Sequence, residues 1–295
     1  QELGVKVRDG GGRLPIEVCG PMRGGRITVD GSMSSQFVTG LLIALSLAER
    51  DTTIEVEGLV STPYIDMTLE TLERFGVEVM YHEGDYSEFY IEGGQEFKAV
   101  DYTIESDWSA AATIMVAAAI AGEVTINNLS TLSRQADTAI CRALERAGAS
   151  LIIEENSITV EHRELEAFSF DATNCPDLFP ALVALAAASA GVSTLYGIRR
   201  LRGKESDRGE VLKEEYAKLG IDIELDYDED VMRVVGGKPV VAEVDSHDDH
   251  RIAMSLAVTA LRLSEPITIK NRERVAKSYP SSFEDLEMLK QGARE

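Results

Sequence analysis

One plan recurs four times along the 295 residues. A small or polar loop leads into an apolar run of helical length. A short β-type run follows, then a second polar loop and an amphipathic helix that ends near a glycine. The first copy begins at Ser34-Ser35-Gln36-Phe37, with its apolar run over 38–47, its strand at Thr52-Thr53-Ile54-Glu55-Val56 and its second helix over 66–75, where Met67, Leu69, Leu72 and Phe75 keep near-helical spacing before Gly76. The second begins at Ser106-Asp107-Trp108-Ser109, continues through 110–121 and 124–127, and predicts a helix over 138–147 before Gly148. The third opens on Pro176-Asp177-Leu178, with runs at 181–190, 193–196 and 209–219 before Gly220. The fourth opens on His247-Asp248-Asp249-His250-Arg251, with runs at 252–261, 267–269 and 282–289. Further β-type segments with turns follow the second helix, as at 77–81 and 89–92, so the unit reads βαβαββ, its apolar helix buried and its amphipathic helix packed outside. The fold class expected is α/β (α+β).

The repeat is incomplete at both ends of the chain. Val5-Lys6-Val7 and the 15–18 segment resemble paired strands around Gly10-Gly11-Gly12, the tail of an earlier unit, and the fourth copy stops after its second helix. A boundary near 99–105 gives two predicted domains: 1–105, a partial domain, and 106–295, three units with the last unclosed.

Lys and Arg number 29 against 51 Asp and Glu, a formal net charge of −22. That argues against nucleic acid as a partner, because phosphate-backbone binding needs extended positive surface. The charge itself reads as solubility or adaptation to high salt. The apolar runs at 110–121 and 181–190 are too short to span a bilayer, so no membrane is expected. Cys19, Cys141 and Cys175 form neither a disulfide framework nor a metal-ligand pattern, and the first residues carry no leader, so a cytoplasmic setting is expected.

Against this acidic background, cations gather in one place. Arg199, Arg200 and Arg202 precede Gly203-Lys204-Glu205-Ser206-Asp207-Arg208, just before a helical run. A polar loop opening a helix suits a small anion, since free backbone N–H groups and the helix dipole add to the side-chain cations.

The loop motifs carry a resemblance. Gly31-Ser32-Met33-Ser34-Ser35-Gln36-Phe37, Ser61-Thr62-Pro63-Tyr64-Ile65-Asp66, Pro176-Asp177, Lys204-Glu205-Ser206-Asp207-Arg208, Asp249-His250-Arg251 and Ala276-Lys277-Ser278-Tyr279-Pro280 stand in the order and spacing of the 5-enolpyruvylshikimate-3-phosphate (EPSP) synthase family. The resemblance runs from Ser32 to Glu287. It implies two domains of three βαβαββ units each, with loops facing across a closing cleft. It also implies transfer of the enolpyruvyl group of phosphoenolpyruvate to the 5-hydroxyl of shikimate 3-phosphate, with phosphate released and no metal or organic cofactor. The family's first stretch, with its catalytic lysine and phosphoenolpyruvate-binding arginine, has no counterpart here. The expectation is a C-terminal portion or half of a split enzyme, with little or no activity alone and the absent N-terminal portion as a partner.

Residue by residue, the resemblance makes Asp177 the proton acceptor at the 5-hydroxyl and gives Glu205 proton transfer at the phosphoenolpyruvate methylene. Shikimate 3-phosphate would bind Ser34, Ser35, Gln36, Ser61, Tyr64, Asp177, Arg200 and Lys204. Phosphoenolpyruvate would bind Gln36, Glu205, Arg208, Arg251 and Lys277. This suits the chemistry: three anionic groups need several cations, and arginine's fork matches carboxylate and phosphate. A base and an acid with separated pKa values are also required.

Local readings stay open beside these. Asp177, Ser34 and Ser35 fit helix caps. Glu205 fits a solvated carboxylate paired with Arg208, its pKa lowered by Lys204 or raised by burial. His250 with Asp249 fits a catalytic pair or a structural histidine. The 247–250 run invites a metal, although the motif match supplies a metal-free account. Trp108 and the Ala-rich runs read as core. Two other functions remain: an enolpyruvyl transferase acting on UDP-N-acetylglucosamine, and a non-catalytic fragment or binding module.

Overall fold

The structure, a computed structural model, describes residues 1–292, with side chains described to residue 289. Residues 293–295, the end of the expected second domain, lie outside the described residues. The chain divides into two compact units: Gln1–Thr103 with Arg134–Ala136, and Ile104–Ser133 with Asp137–Glu295.

In the first unit, β1 (Lys6–Arg8) pairs antiparallel with β2 (Glu17–Cys19), the expected hairpin displaced by one or two residues. Then come β3 (Gly25–Asp30), α1 (Gln36–Leu45), β4 (Thr52–Glu57), α2 (Thr62–Arg74), β5 (Val79–His82) and β6 (Asp85–Ile91). Their sheet runs β3-β4-β6-β5, with β3 and β4 parallel and the other pairs antiparallel. Alternation along β4 sends Ile54 and Val56 inward, and Val38, Leu42 and Leu45 of α1 meet Ile65, Leu69 and Leu72 of α2 in one core.

The second unit holds three further copies. The first comprises α3 (Trp108–Ala121), β7 (Glu123–Asn127), a 3₁₀ turn at Ala136–Ala139, α4 (Ile140–Arg146), β8 (Ser150–Ile153) and β9 (Ser157–Glu161), with sheet order β7-β9-β8. The next is β10 (Ser169–Asp171), α5 (Phe179–Ala188), β11 (Val192–Tyr196), α6 (Arg208–Lys218), β12 (Ile223–Asp226) and β13 (Val231–Val235). Its order, β10-β11-β13-β12, reproduces that of the first unit. The last is β14 (Glu243–Asp245), α7 (His250–Ala260), β15 (Thr268–Lys270) and α8 (Ser282–Gly292), where β14 and β15 form a parallel pair.

Three helices end in the same way. Val77, Ala149 and Ile221 donate to the carbonyls of Leu72, Leu144 and Tyr216 across Gly76, Gly148 and Gly220, all at positive φ. This is the Schellman closure that glycine permits without steric cost. The apolar helices α3, α5 and α7 pack on one another. Nearly every residue of α3 and α5 is buried, Trp108 included, as expected of helices apolar all round. No described helix is long and apolar enough to cross a membrane.

Candidate active site

In the second unit, loops from separate copies converge on one guanidinium. Arg208 opens α6 and is 1% exposed. Its Nε donates to Asp249 Oδ2 at 2.7 Å, Nη1 to Asp177 Oδ1 at 2.6 Å and Nη2 to Glu205 Oε2 at 2.7 Å. Asp177 sits in a 3₁₀ turn, Pro176–Leu178, before α5. Its carboxylate also lies 3.4 Å from Lys204 Nζ and 3.5 Å from Arg251 Nη2. Lys277, at the end of the 3₁₀ segment Arg272–Lys277, donates to Glu205. Four cations therefore meet three carboxylates, and the cluster carries an excess positive charge inside a chain of −22.

Electrostatics fix the protonation states. Burial alone would raise the Asp177 pKa, but Arg251, Arg208 and Lys204 outweigh it and hold the carboxyl far below its usual range. Burial also works against Glu205, yet Lys277 and Arg208 bring it down to about 2. The sequence left that contest open and named Lys204 as the lowering cation. Lys204 instead lies against Asp177, and Lys277, distant in sequence, takes its place. The Glu205–Arg208 pair, three residues apart, is the one read from spacing.

The capping alternatives resolve differently. Asp177 makes no cap bond: Leu178 stands at the N-cap of α5 without side-chain capping. Asp249 does cap α7, accepting from the Arg251 N–H at 3.0 Å, while its other oxygen holds Arg208. His250 is buried, with Nδ1 3.9 Å from Asp249 Oδ1, beyond hydrogen-bond reach. Burial and then Arg251 lower its pKa, keeping it neutral at neutral pH. The geometry is that of a structural histidine rather than an Asp–His dyad.

The 247–250 run does not converge on a common point either. His247 meets Glu215, Asp248 meets Arg274, and Asp249 meets Arg208. Among the described residues, the one side-chain group with metal-like spacing is Glu214, Glu215 and His247. The Lys218 ammonium lies within bonding distance of both glutamates there.

The arginines before Lys204 divide. Arg199 donates to the carbonyls of Tyr227 and Asp228, and Arg202 stacks 4.1 Å over the Tyr227 ring. Arg200 is half-buried, its pKa lowered by burial and supported by Asp177.

The predicted residues of the first unit form a separate, uncharged set. Thr39 Oγ1, about one turn into α1, lies 2.9 Å from Thr68 Oγ1, nearly two turns into α2, so the first halves of the two helices are neighbours. This brings Ser34, Ser35 and Gln36 to the same end of the sheet as Ser61 and Tyr64. Ser34 Oγ accepts the Gln36 N–H at 3.2 Å. Ser35, buried at the N-cap of α1, makes no side-chain cap bond, contrary to the capping alternative. Ser61 is buried in the left-handed region with φ 56°, a conformation that costs a non-glycine residue and often marks a functional turn.

Sequence reasoning missed Asp249 as the buried counter-ion of Arg208, and it missed Asp137. Asp137 lies in the 3₁₀ turn before α4, 1% exposed. The Ser109 hydroxyl donates to Oδ2, and Oδ1 has no hydrogen-bond partner among the described residues. Burial raises its pKa to about 6 against the opposing field of Arg251, with Asp177 and Asp107 adding to the rise. The repeat held the signal: Asp137 enters its second helix as Ser61 and Asp207 enter theirs. A cavity of about 1010 Å³ lined by α3, β7, β9, Tyr279 and α8 contains none of the cluster residues.

The model of the family described as EPSP synthase (3-phosphoshikimate 1-carboxyvinyltransferase) matches residues 1–286. The chain is 40% identical to the 3-phosphoshikimate 1-carboxyvinyltransferase of Methanocella arvoryzae over 95% of its own length and 66% of that protein. It is 39% identical to that of Clostridioides difficile, over 94% and 63%. It therefore spans about two thirds of the length of these relatives. Among solved structures, an EPSP synthase from Acinetobacter baumannii superposes with a TM-score of 0.78 at 29% identity, covering 98% of this chain and 68% of that one. The enolpyruvyl transferase NikO of Streptomyces tendae gives 0.73 at 19% identity over 97% and 68%, a likeness of fold alone. With a family model spanning nearly its whole length, the chain belongs to the EPSP synthase family.

Proposed function

We propose that this chain carries the enolpyruvyl-transfer machinery of an EPSP synthase, with phosphoenolpyruvate and shikimate 3-phosphate as substrates. The observation that carries the reading is the convergence of Asp177, Lys204, Glu205, Arg208, Arg251 and Lys277, from two successive repeat copies, in one cluster with excess positive charge. On this reading Arg208, Arg251 and Lys277 hold the carboxylate and phosphate of phosphoenolpyruvate, and Lys204 and Arg200 the phosphate of shikimate 3-phosphate. The uncharged groups Ser34, Ser35, Gln36, Ser61 and Tyr64 bind shikimate 3-phosphate through hydroxyl and amide contacts.

The reaction joins the 5-hydroxyl oxygen to C2 of phosphoenolpyruvate. The hydroxyl proton must leave and the methylene carbon must gain one, before phosphate departs and the double bond re-forms by loss of a methyl proton. Asp177, ionised, is the acceptor for the hydroxyl proton. Its carboxylate is a weak base while three cations face it. Substrate anions drawing Arg251, Lys204 and Arg208 toward themselves would raise its pKa as the nucleophile arrives. Glu205 is likewise ionised through Lys277 and Arg208. It can donate at the methylene carbon only after taking up a proton, and binding of the phosphoenolpyruvate anion beside Lys277 favours that uptake.

Phosphate release from the two substrates tests the reading, with the chain assayed alone and together with the remaining third of a relative. Asp177→Ala should abolish turnover while leaving the melting transition cooperative. Turnover unchanged in Asp177→Ala, or turnover that proceeds with UDP-N-acetylglucosamine in place of shikimate 3-phosphate, would overturn it.

A further inference from the structure

Glu215 is the next charged group along the buried face of α6 after Arg208, and it is fully buried. No part of the proposed chemistry uses it. Its Oε2 accepts the backbone N–H of Asp245 at 2.8 Å, and its Oε1 lies 2.8 Å from His247 Nε2. Lys218 Nζ lies 2.7 Å from the same Oε1. Burial would raise the carboxyl pKa, but Lys218, the Asp245 N–H and His247 together lower it, so the group is an anion.

The turn that Glu215 grips is strained. His247 and Asp248 both have positive φ, 49° and 61°. Two consecutive non-glycine residues in that region are costly and persist only when neighbours over-determine them. The turn ends on Asp249, whose N–H bonds the Ser246 carbonyl at 2.9 Å, and Asp249 caps the helix that presents Arg251. The same turn is tied to the segment carrying Lys277. Asn271 Nδ2 donates to Asp245 Oδ1 at 2.8 Å, Ser246 Oγ to the Asn271 carbonyl at 3.2 Å, and Arg274 Nε to Asp248 Oδ1 at 2.6 Å.

We infer that Glu215 is a positioning residue: through Asp245 and His247 it fixes the strained 245–248 turn, and through Asn271 the 271–277 segment, so that Arg208, Asp249, Arg251 and Lys277 are presented together. One rigid helix, α6, then carries both the central guanidinium of the cluster and the carboxylate that sets the loops around it. The inference deepens the anion-binding reading of the same site, and its primary readout needs no ligand.

The test compares the 295-residue chain with Glu215→Gln, His247→Gln and His247→Gly. Amide hydrogen exchange is measured across 245–251, 271–277 and the β11–β13 strands, alongside calorimetric affinity for inorganic phosphate. Glu215→Gln should speed exchange about tenfold in 245–251 and 271–277 while leaving β11–β13 protected, and should weaken phosphate binding. His247→Gln, which keeps a donor for Glu215, should stay within about twofold of the parent chain. His247→Gly relieves the positive φ but removes the donor, and should resemble Glu215→Gln. Unchanged exchange in the two segments, or acceleration spread evenly through β11–β13, overturns the inference. Should Glu215→Gln not fold, the His247 pair decides alone: equal protection in His247→Gln and His247→Gly overturns it. A parent chain that binds no phosphate would refute the anion-site reading and leave the exchange comparison standing.

Discussion

The same scaffold delivers opposite chemistry in the two compact units. In the first, the helix starts of a βαβαββ copy present Ser34, Ser35, Gln36 and Ser61, all neutral, with Ser61 held in a left-handed turn. In the second, the corresponding starts present Asp137, Asp177, Arg208 and Asp249, all ionisable, with Arg208 bonded to both Asp177 and Asp249 and Asp137 bonded to Ser109. A helix start offers free N–H groups and a positive dipole wherever it occurs. The residue placed there decides whether the site recognises by hydrogen bonding or by charge. The charged version brings a folding debt that the neutral one lacks, because a buried ion must keep its partner.

The sharpest way to break this comparison is to remove the shared partner. Arg208→Met leaves Asp249, which is fully buried, without its counter-ion. Urea unfolding should register a loss of about 3–5 kcal/mol. A loss below about 1 kcal/mol would mean the cluster behaves as a solvated surface network, no different from the neutral set.

A second effect separates the acids by sign. Asp177 and Glu205 have lowered folded-state pKa values, so the stability they contribute is present above the ordinary carboxylate range and lost as pH falls. Asp137 runs the other way. Raised from 3.8 to about 6, it favours the folded state below pH 3.8, and that contribution is lost as pH rises through 6. Asp137→Asn should remove this loss and stabilise the chain at pH 7 by up to about 3 kcal/mol, read from melts between pH 4 and 8. Parallel pH profiles for parent and variant would place Asp137 outside the electrostatics of the cluster.

The smallest effect belongs to the uncharged helix starts of the first unit. Ser61→Gly should match or exceed the parent stability by up to about 1 kcal/mol, since glycine takes φ 56° without strain. A substantial loss would show that the Ser61 side chain, rather than its backbone, holds the turn.

The order of elements was legible because it rests on local pattern. Apolar runs, alternating strands and the glycines at 76, 148 and 220 each report on a few neighbouring residues, and the helices over 38–47 and 110–121 begin only about two residues earlier than read. The Glu205–Arg208 pair, three residues apart, was legible for the same reason. Arg208 reaches Asp177 across 31 positions and Asp249 across 41, separations that no spacing rule encodes. The resemblance named Asp177, Arg208, Arg251 and Lys277 as separate substrate contacts. It gave no hint that Arg208 is already surrounded by three carboxylates, or that Asp249, which beside His250 fits either a catalytic pair or the neighbour of a structural histidine, is the buried partner of Arg208.

The central claim is that this cluster is an anion site whose cations are held ready by their own carboxylates. Calorimetric titration of phosphoenolpyruvate into the chain tests it most directly. The account predicts saturable binding that weakens with added salt and falls by about tenfold or more in Arg251→Met and in Lys277→Met, as loss of a charge-assisted contact requires. Binding of equal strength in the parent and both variants, or no saturable heat in the parent, would contradict it.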